Sequence, residues 1–247
     1  MAPQQKSPAV RTVALIGIDG SGKTTQAHRL ADELTAAGIA AGYRRNAGGR
    51  HWVGRVAGFF GRADAEELVG RRAMLGIESV LRWLAILRTI LRRAFARDIA
   101  VMDRYAYCQY ASLRARGAKP VAERRARLAY RLFPAPDVTF LLAVDPAAAQ
   151  LRIDRRGYDH EEMDYLRAAD AAYRSLPEFP AFVVIDANGT PDEVAAEIQR
   201  ELKVRMAARP VVVPAPRHRP ATRTLVLAAA PLLAAFAMLG LQLAESL

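Results

Sequence analysis

The chain has 247 residues, 52% of them apolar and 25% charged, with one cysteine, Cys108, and a formal net charge of +11. That length and apolar share suit one α/β domain plus an appendage and exclude wholesale disorder; a single cysteine excludes a disulfide scaffold or a multi-cysteine metal site. The basic side is 32 arginines against four lysines, which favours an anionic partner (phosphate, nucleic acid or acidic lipid) without choosing among them.

Residues 1–10 are polar and proline-bearing and predict a frayed tail, with no apolar run of signal-peptide kind. Thr12-Val-Ala-Leu-Ile-Gly-Ile18 is apolar at both alternate positions, the pattern of a parallel strand buried on both faces. Asp19-Gly-Ser-Gly22 breaks it. A helix is then predicted from Lys23 to Ala37, with Ala27, Leu30, Ala31 and Leu34 on one stripe and Gly38 as its stop. Further helices are predicted over 71–96, with room for one break, and over 121–132, 147–155, 161–175 and 190–204. Further strands are predicted over 99–102, 138–144 and 181–185. Strands alternating with helices predict an α/β domain, residues 11–206, with a parallel sheet covered on both faces.

The character changes at 207–222, where Pro210, Pro214, Pro216 and Pro220 predict a stiff linker. Residues 223–247 follow as an expected transmembrane anchor. Positions 224–244 hold 21 residues without a charge, seven of them leucine, and at about 1.5 Å per residue that helix matches the ~30 Å of a bilayer core. Arg217, Arg219 and Arg223 just before it place the domain on the cytoplasmic side of a single-pass C-terminal anchor. Pro231 would kink the span; the competing reading is an apolar helix packed on the domain or on a partner.

Gly17-Ile-Asp-Gly-Ser-Gly-Lys-Thr24 matches the phosphate-loop pattern G-x-x-x-x-G-K-[ST], and it lies between a predicted strand and a predicted helix as that pattern requires. Glycines let backbone N–H groups approach a phosphate, and the helix N-terminus adds partial positive charge. Gly17, Asp19, Gly20, Ser21, Gly22, Lys23, Thr24 and Thr25 are therefore the candidate ATP-binding residues. Lys23 would reach the β- and γ-phosphates, and the Thr24 hydroxyl would ligate Mg²⁺. Asp19 would repel phosphate unless it faces a hydroxyl or a cation.

Gly17-Ile-Asp-Gly-Ser-Gly-Lys-Thr-Thr-Gln26, followed by Asp103-Arg-Tyr105 at a strand end, resembles the thymidylate kinase family over roughly residues 11–204. That family transfers the γ-phosphoryl of ATP to dTMP. The resemblance implies a three-layer P-loop fold, Mg-ATP as donor and a nucleoside monophosphate as acceptor. It implies catalysis by Lys23, Arg104 and the lid arginines Arg152 and Arg156, and Mg²⁺ on Thr24 and Asp103. It also implies an acceptor held by Asp19, Arg45, Arg82, Arg104 and Tyr105.

Arg45-Asn-Ala-Gly-Gly49 stands where the family carries R-E-P-G-G, and Pro136-Asp137 is similar to its P-D segment. Ile185-Asp186-Ala187 resembles its loop beside the adenine. After D-R-Y the family shows a serine and then A-Y-Q, which read the pyrimidine; here those places hold Cys108 and Ala111-Ser-Leu113, leaving Gln109 and Tyr110 as candidates to take over. Two rivals follow: a kinase for another nucleotide, nucleoside or membrane-associated metabolite, and an ATP-binding, membrane-tethered module without turnover. The five-arginine run of Arg82, Arg88, Arg92, Arg93 and Arg97 could also face acidic lipid. No nucleic-acid partner is expected, since no helix-turn-helix, zinc-finger or aromatic RNA-binding motif occurs. A homodimer is a further expected association. No histidine is given a metal or catalytic role, and Cys108 is expected to be a small buried apolar residue.

Overall fold

The computed structural model describes residues 10–46, 71–96, 98–157 and 161–208. Five parallel strands form one sheet: β1 (Thr12–Ile16), β2 (Ala41–Arg45), β3 (Ile99–Asp103), β4 (Val138–Ala143) and β5 (Val183–Asp186), in the order β2-β3-β1-β4-β5. The helices are α1 (Lys23–Ala36), α2 (Arg71–Phe95), α3 (Ala106–Ala115), α4 (Pro120–Tyr130), α5 (Pro146–Arg156), α6 (Met163–Arg174) and α7 (Pro191–Ala208), with a 3₁₀ turn at Phe179–Ala181. Crossovers run one way from β1 to β2 and the other way from β3 to β4. The switch point thus lies between β1 and β3, and their carboxyl ends open into the crevice where ligands of such sheets bind.

The core follows the apolar runs. β1 and β3 are buried at every position, as expected of central strands between two helical layers. α1 packs on α7, while α3 packs on α2, α4 and α6, and α5 on α6. Trp83 of α2 and Phe140 of β4 are fully buried, and the Trp83 indole donates to the Ala129 carbonyl of α4 at 3.0 Å. Asp137 staples the first strand: one carboxylate oxygen accepts from the Arg11 and Thr12 amides and the Thr12 hydroxyl at 2.8–2.9 Å.

Two elements differ from expectation because their burial leaves no readable period. α3 is buried at Ala106 and from Cys108 to Leu113; a helix enclosed nearly all round has no polar face to mark it. β2 is an edge strand, only partly buried along Ala-Gly-Tyr-Arg-Arg, so its composition looks like a loop. α2 runs unbroken. β5 starts two residues later than predicted, after the 3₁₀ turn. Val10, assigned above to the tail, is fully buried in the core. α7 is described through Ala208, past the expected start of the linker at 207, because alanine sustains a helix. No helix among the described residues is long and apolar enough to cross a membrane. The predicted anchor and the rest of the linker lie outside the described residues, as do positions 1–9 and 47–49.

Candidate active site

β1 ends at Ile16, and the chain turns at once through three glycines with left-handed or otherwise positive φ: Gly17 at +145°, Gly20 at +83° and Gly22 at +87°. A side chain would not fit at the first two, since a Cβ on Gly17 would lie 2.7 Å from the Leu142 carbonyl oxygen and one on Gly20 would collide with Ala149. Tyr173 of α6 donates to the Gly17 carbonyl at 3.1 Å and fixes the start of the loop.

Gly22 caps α1 without a side-chain bond, and no acid occupies the first turn. Two other helix starts are closed by a carboxylate. Asp145 caps α5 through the Ala147 amide at 2.7 Å, and Glu193 accepts from the Thr190 amide ahead of α7 at 2.8 Å. The free amides at the start of α1 therefore form a built anion site.

Lys23 is 5% exposed. Its ammonium donates to the Ile18 carbonyl at 2.6 Å and lies 3.6 Å from Asp19. Burial, then the neighbouring Arg104, holds that ammonium below the ordinary lysine range, while Asp19 and Asp103 pull the other way. Arg104 reaches Asp19 through Nη2. Burial works against its charge, but Asp19 and Asp103 outweigh that and keep the guanidinium protonated. Asp19 thus faces two cations, which explains a carboxylate inside a phosphate loop.

At the end of β3, Asp103 Oδ2 accepts from the Thr24 hydroxyl at 2.6 Å and from the Tyr43 hydroxyl at 3.1 Å. Oδ1 of the same carboxylate is buried with no hydrogen-bond partner. An unpaired buried oxygen costs about 1–3 kcal/mol, and a hard cation beside Thr24 would relieve it. Thr24 and Asp103 are therefore fit to hold Mg²⁺. No cluster of three acidic, histidine or cysteine ligands occurs among the described residues, so phosphate and water oxygens would complete the shell.

Phosphate cradle, cation pair and hydroxyl–carboxylate contact together make a phosphoryl-transfer centre. A model of the thymidylate kinase family matches residues 16–198. The chain belongs to that family. It is similar to the thymidylate kinase of Xanthomonas euvesicatoria pv. vesicatoria, 32% identical over 82% of this chain and 87% of that protein. The thymidylate kinase of Deinococcus radiodurans is 31% identical over 75% of this chain and 93% of its own length. A protein of Archaeoglobus fulgidus named "Probable thymidylate kinase" is 29% identical over 77% and 94%.

In this family member the donor side is a cleft of about 240 Å³, where Gly20, Ser21, Gly22 and Thr25 face Arg152 and Arg156. The Arg152 guanidinium donates to the Ala187 carbonyl at 2.9 Å and the Asn188 carbonyl at 3.3 Å. Those loop carbonyls after β5 engage it where it lines the cleft opposite the phosphate loop. Arg156 is exposed on the rim, donating to the Arg152 carbonyl at 3.3 Å. Tyr105, expected on the acceptor, is 3% exposed and donates to the Pro134 carbonyl at 2.7 Å. Its ring packs in the core, because residue 105 is the N-cap of a buried helix. Arg45 is exposed at the end of β2, in register with Asp103.

Arg82 is buried on α2, and its Nη1 donates to Gln109 Oε1 on α3 at 2.5 Å. Tyr110, the other candidate base reader, packs edge-on against Tyr130 under the Arg127 guanidinium. Cys108 is a buried free thiol.

Asn46 is the residue that sequence reading passed over. It fills the glutamate place of R-E-P-G-G and is fully buried. Its amide donates to the Asp103 carbonyl and its Nδ2 to the Arg104 carbonyl, both at 3.0 Å. Arg104 has φ +75°, alone among the described non-glycine residues in that region, a conformation that costs about 1–3 kcal/mol. The departure from the family motif was the available signal, but its partner lies 58 residues away.

Proposed function

We infer that the chain transfers the γ-phosphoryl of ATP to dTMP, giving dTDP and ADP. The observation that carries the acceptor is the Arg82–Gln109 pair. Arginine is donor-only, so it turns the glutamine oxygen toward itself and leaves Nε2 as a donor for another acceptor. Gln109 Nε2 and Arg82 Nε are both buried without a partner. Two unfilled donors suit the keto oxygens of thymine or uracil, whereas the 4-amino group of cytosine would set N–H against N–H.

Transfer then follows from position and charge. Loop amides and Lys23 hold the donor phosphates. Arg104 draws the acceptor phosphate in beside them, against the repulsion of two anions. The acceptor oxygen is already ionised, so no strong base is needed. Thr24 and Asp103 would hold Mg²⁺, whose charge would neutralise the donor phosphates.

Cytosine keeps the 2-keto oxygen, so one donor left unpaired at about 1–3 kcal/mol amounts to a dTMP preference over dCMP on the order of 10- to 100-fold in kcat/KM. An acceptor panel with Mg-ATP tests this by ADP release, and Gln109→Leu is expected to narrow the ratio by about tenfold or more. Equal use of dCMP removes the base reading. Turnover only with another acceptor, or ATP binding without acceptor-dependent turnover, supports one of the two rivals instead.

The uncharged stretch at 224–244, behind three arginines, supports a tether that holds the kinase domain at the cytoplasmic face of a membrane. The full chain expressed in cells is expected to stay in the pellet after alkaline carbonate extraction. Release into the supernatant removes the anchor.

A further inference from the structure

Acceptor binding depends on where the Arg104 guanidinium points, and that depends on backbone in a region non-glycine residues avoid. The two peptide groups flanking the Arg104 Cα are pinned separately. The first is held on both sides, by Arg104 N donating to the Leu15 carbonyl and Asn46 N donating to the Asp103 carbonyl, each at 3.0 Å. The second, whose carbonyl belongs to Arg104, is held by Asn46 Nδ2 at 3.0 Å. Losing that last bond frees the second peptide group, so the strained φ of +75° at Arg104 is no longer held from both sides and the side chain it aims can shift.

The amide that makes this bond is itself oriented. Thr89 of α2, 1% exposed, donates to Asn46 Oδ1 at 3.1 Å. A flipped Asn46 would set its oxygen against the Arg104 carbonyl, so Nδ2 must face Arg104 and Oδ1 must face Thr89. The Thr89 hydroxyl also lies 3.0 Å from the Ala85 carbonyl, but its single proton serves Asn46 in this arrangement.

We propose that Thr89 and Asn46 are positioning residues that hold Arg104 for the acceptor phosphate. Thr89 and Arg82 stand seven residues apart on α2, two turns along one stripe and about 10 Å of rise. One rigid helix therefore sets both the base-reading arginine and, through Asn46, the phosphate-binding one. The proposal rests on the kinase reading but concerns residues that touch neither nucleotide.

Thr89→Val keeps the shape and removes the hydroxyl. It is expected to raise both the KM and the calorimetric Kd for dTMP about tenfold, with the KM for Mg-ATP changed less than about twofold. Thr89→Ser restores the wild-type values, and Asn46→Ala raises them further than Thr89→Val. A merely structural role would lower melting temperature and active fraction while leaving dTMP affinity intact, and that result overturns the proposal. Equal loss of ATP and dTMP affinity overturns it too. If wild type binds dTMP without turning it over, the kinase reading fails, yet the calorimetric comparison still decides the positioning role.

Discussion

Lys23→Ala is expected to lower kcat for dTMP phosphorylation by about 10³-fold or more, with no fall in melting temperature. The ammonium is 5% exposed, and its lowered pKa records that the folded chain disfavours the charge it carries. Such a group is kept for its ligand, at the expense of stability. The ammonium donates to the Ile18 carbonyl at 2.6 Å, within the loop that would hold the donor phosphates.

The sign of the pH dependence follows. Burial and Arg104 lower the Lys23 pKa, so the free enzyme loses that proton at a lower pH than an exposed lysine would. kcat/KM for ATP, which reports the free enzyme, falls as pH rises through the lowered value. Phosphate charge in the complex raises the pKa again, so kcat persists to higher pH. Turnover unchanged in Lys23→Ala, or an alkaline limb at the ordinary lysine position, would remove the loop as donor site.

Asp103→Asn is the second large effect, a loss of about 10²-fold or more in kcat. The substitution keeps the volume and leaves an oxygen for the Thr24 and Tyr43 hydroxyls, which now meet Oδ2 at 2.6 and 3.1 Å. It removes the charge from Oδ1, the buried oxygen without a partner. Mn²⁺ affinity, read by electron paramagnetic resonance on the enzyme–ADP complex, is expected to fall about 10- to 100-fold. The two readouts move together only if the carboxylate faces the cation. Weakened folding with unchanged Mn²⁺ affinity would make Asp103 a structural partner of Thr24 and Tyr43 alone.

The phosphate loop was legible because everything it needs is local: a buried strand, three glycines, a lysine and a helix start within twelve residues of one another. Asp103 and Arg104 were legible by resemblance, through a three-residue motif at a strand end. The setting of Arg152 was not legible, because an arginine's partners do not show in its own neighbourhood. The three loop carbonyls that engage it come from 35 to 37 residues further on. α3 was missed because burial on nearly all sides erases the period by which a helix is read.

By itself, then, the sequence determined the alternation of strands and helices, the phosphate loop and the kinase family, since each is written in contiguous residues or in a spacing. Only the tertiary structure decided how the acceptor half is built. Parallel pairing of β2 with β3 sets Asn46 against the Asp103–Arg104 turn, and the packing of α2 on α3 brings Arg82 to Gln109. Those contacts depend on which strand lies beside which and on which way a buried amide must face, and neither is encoded in local pattern.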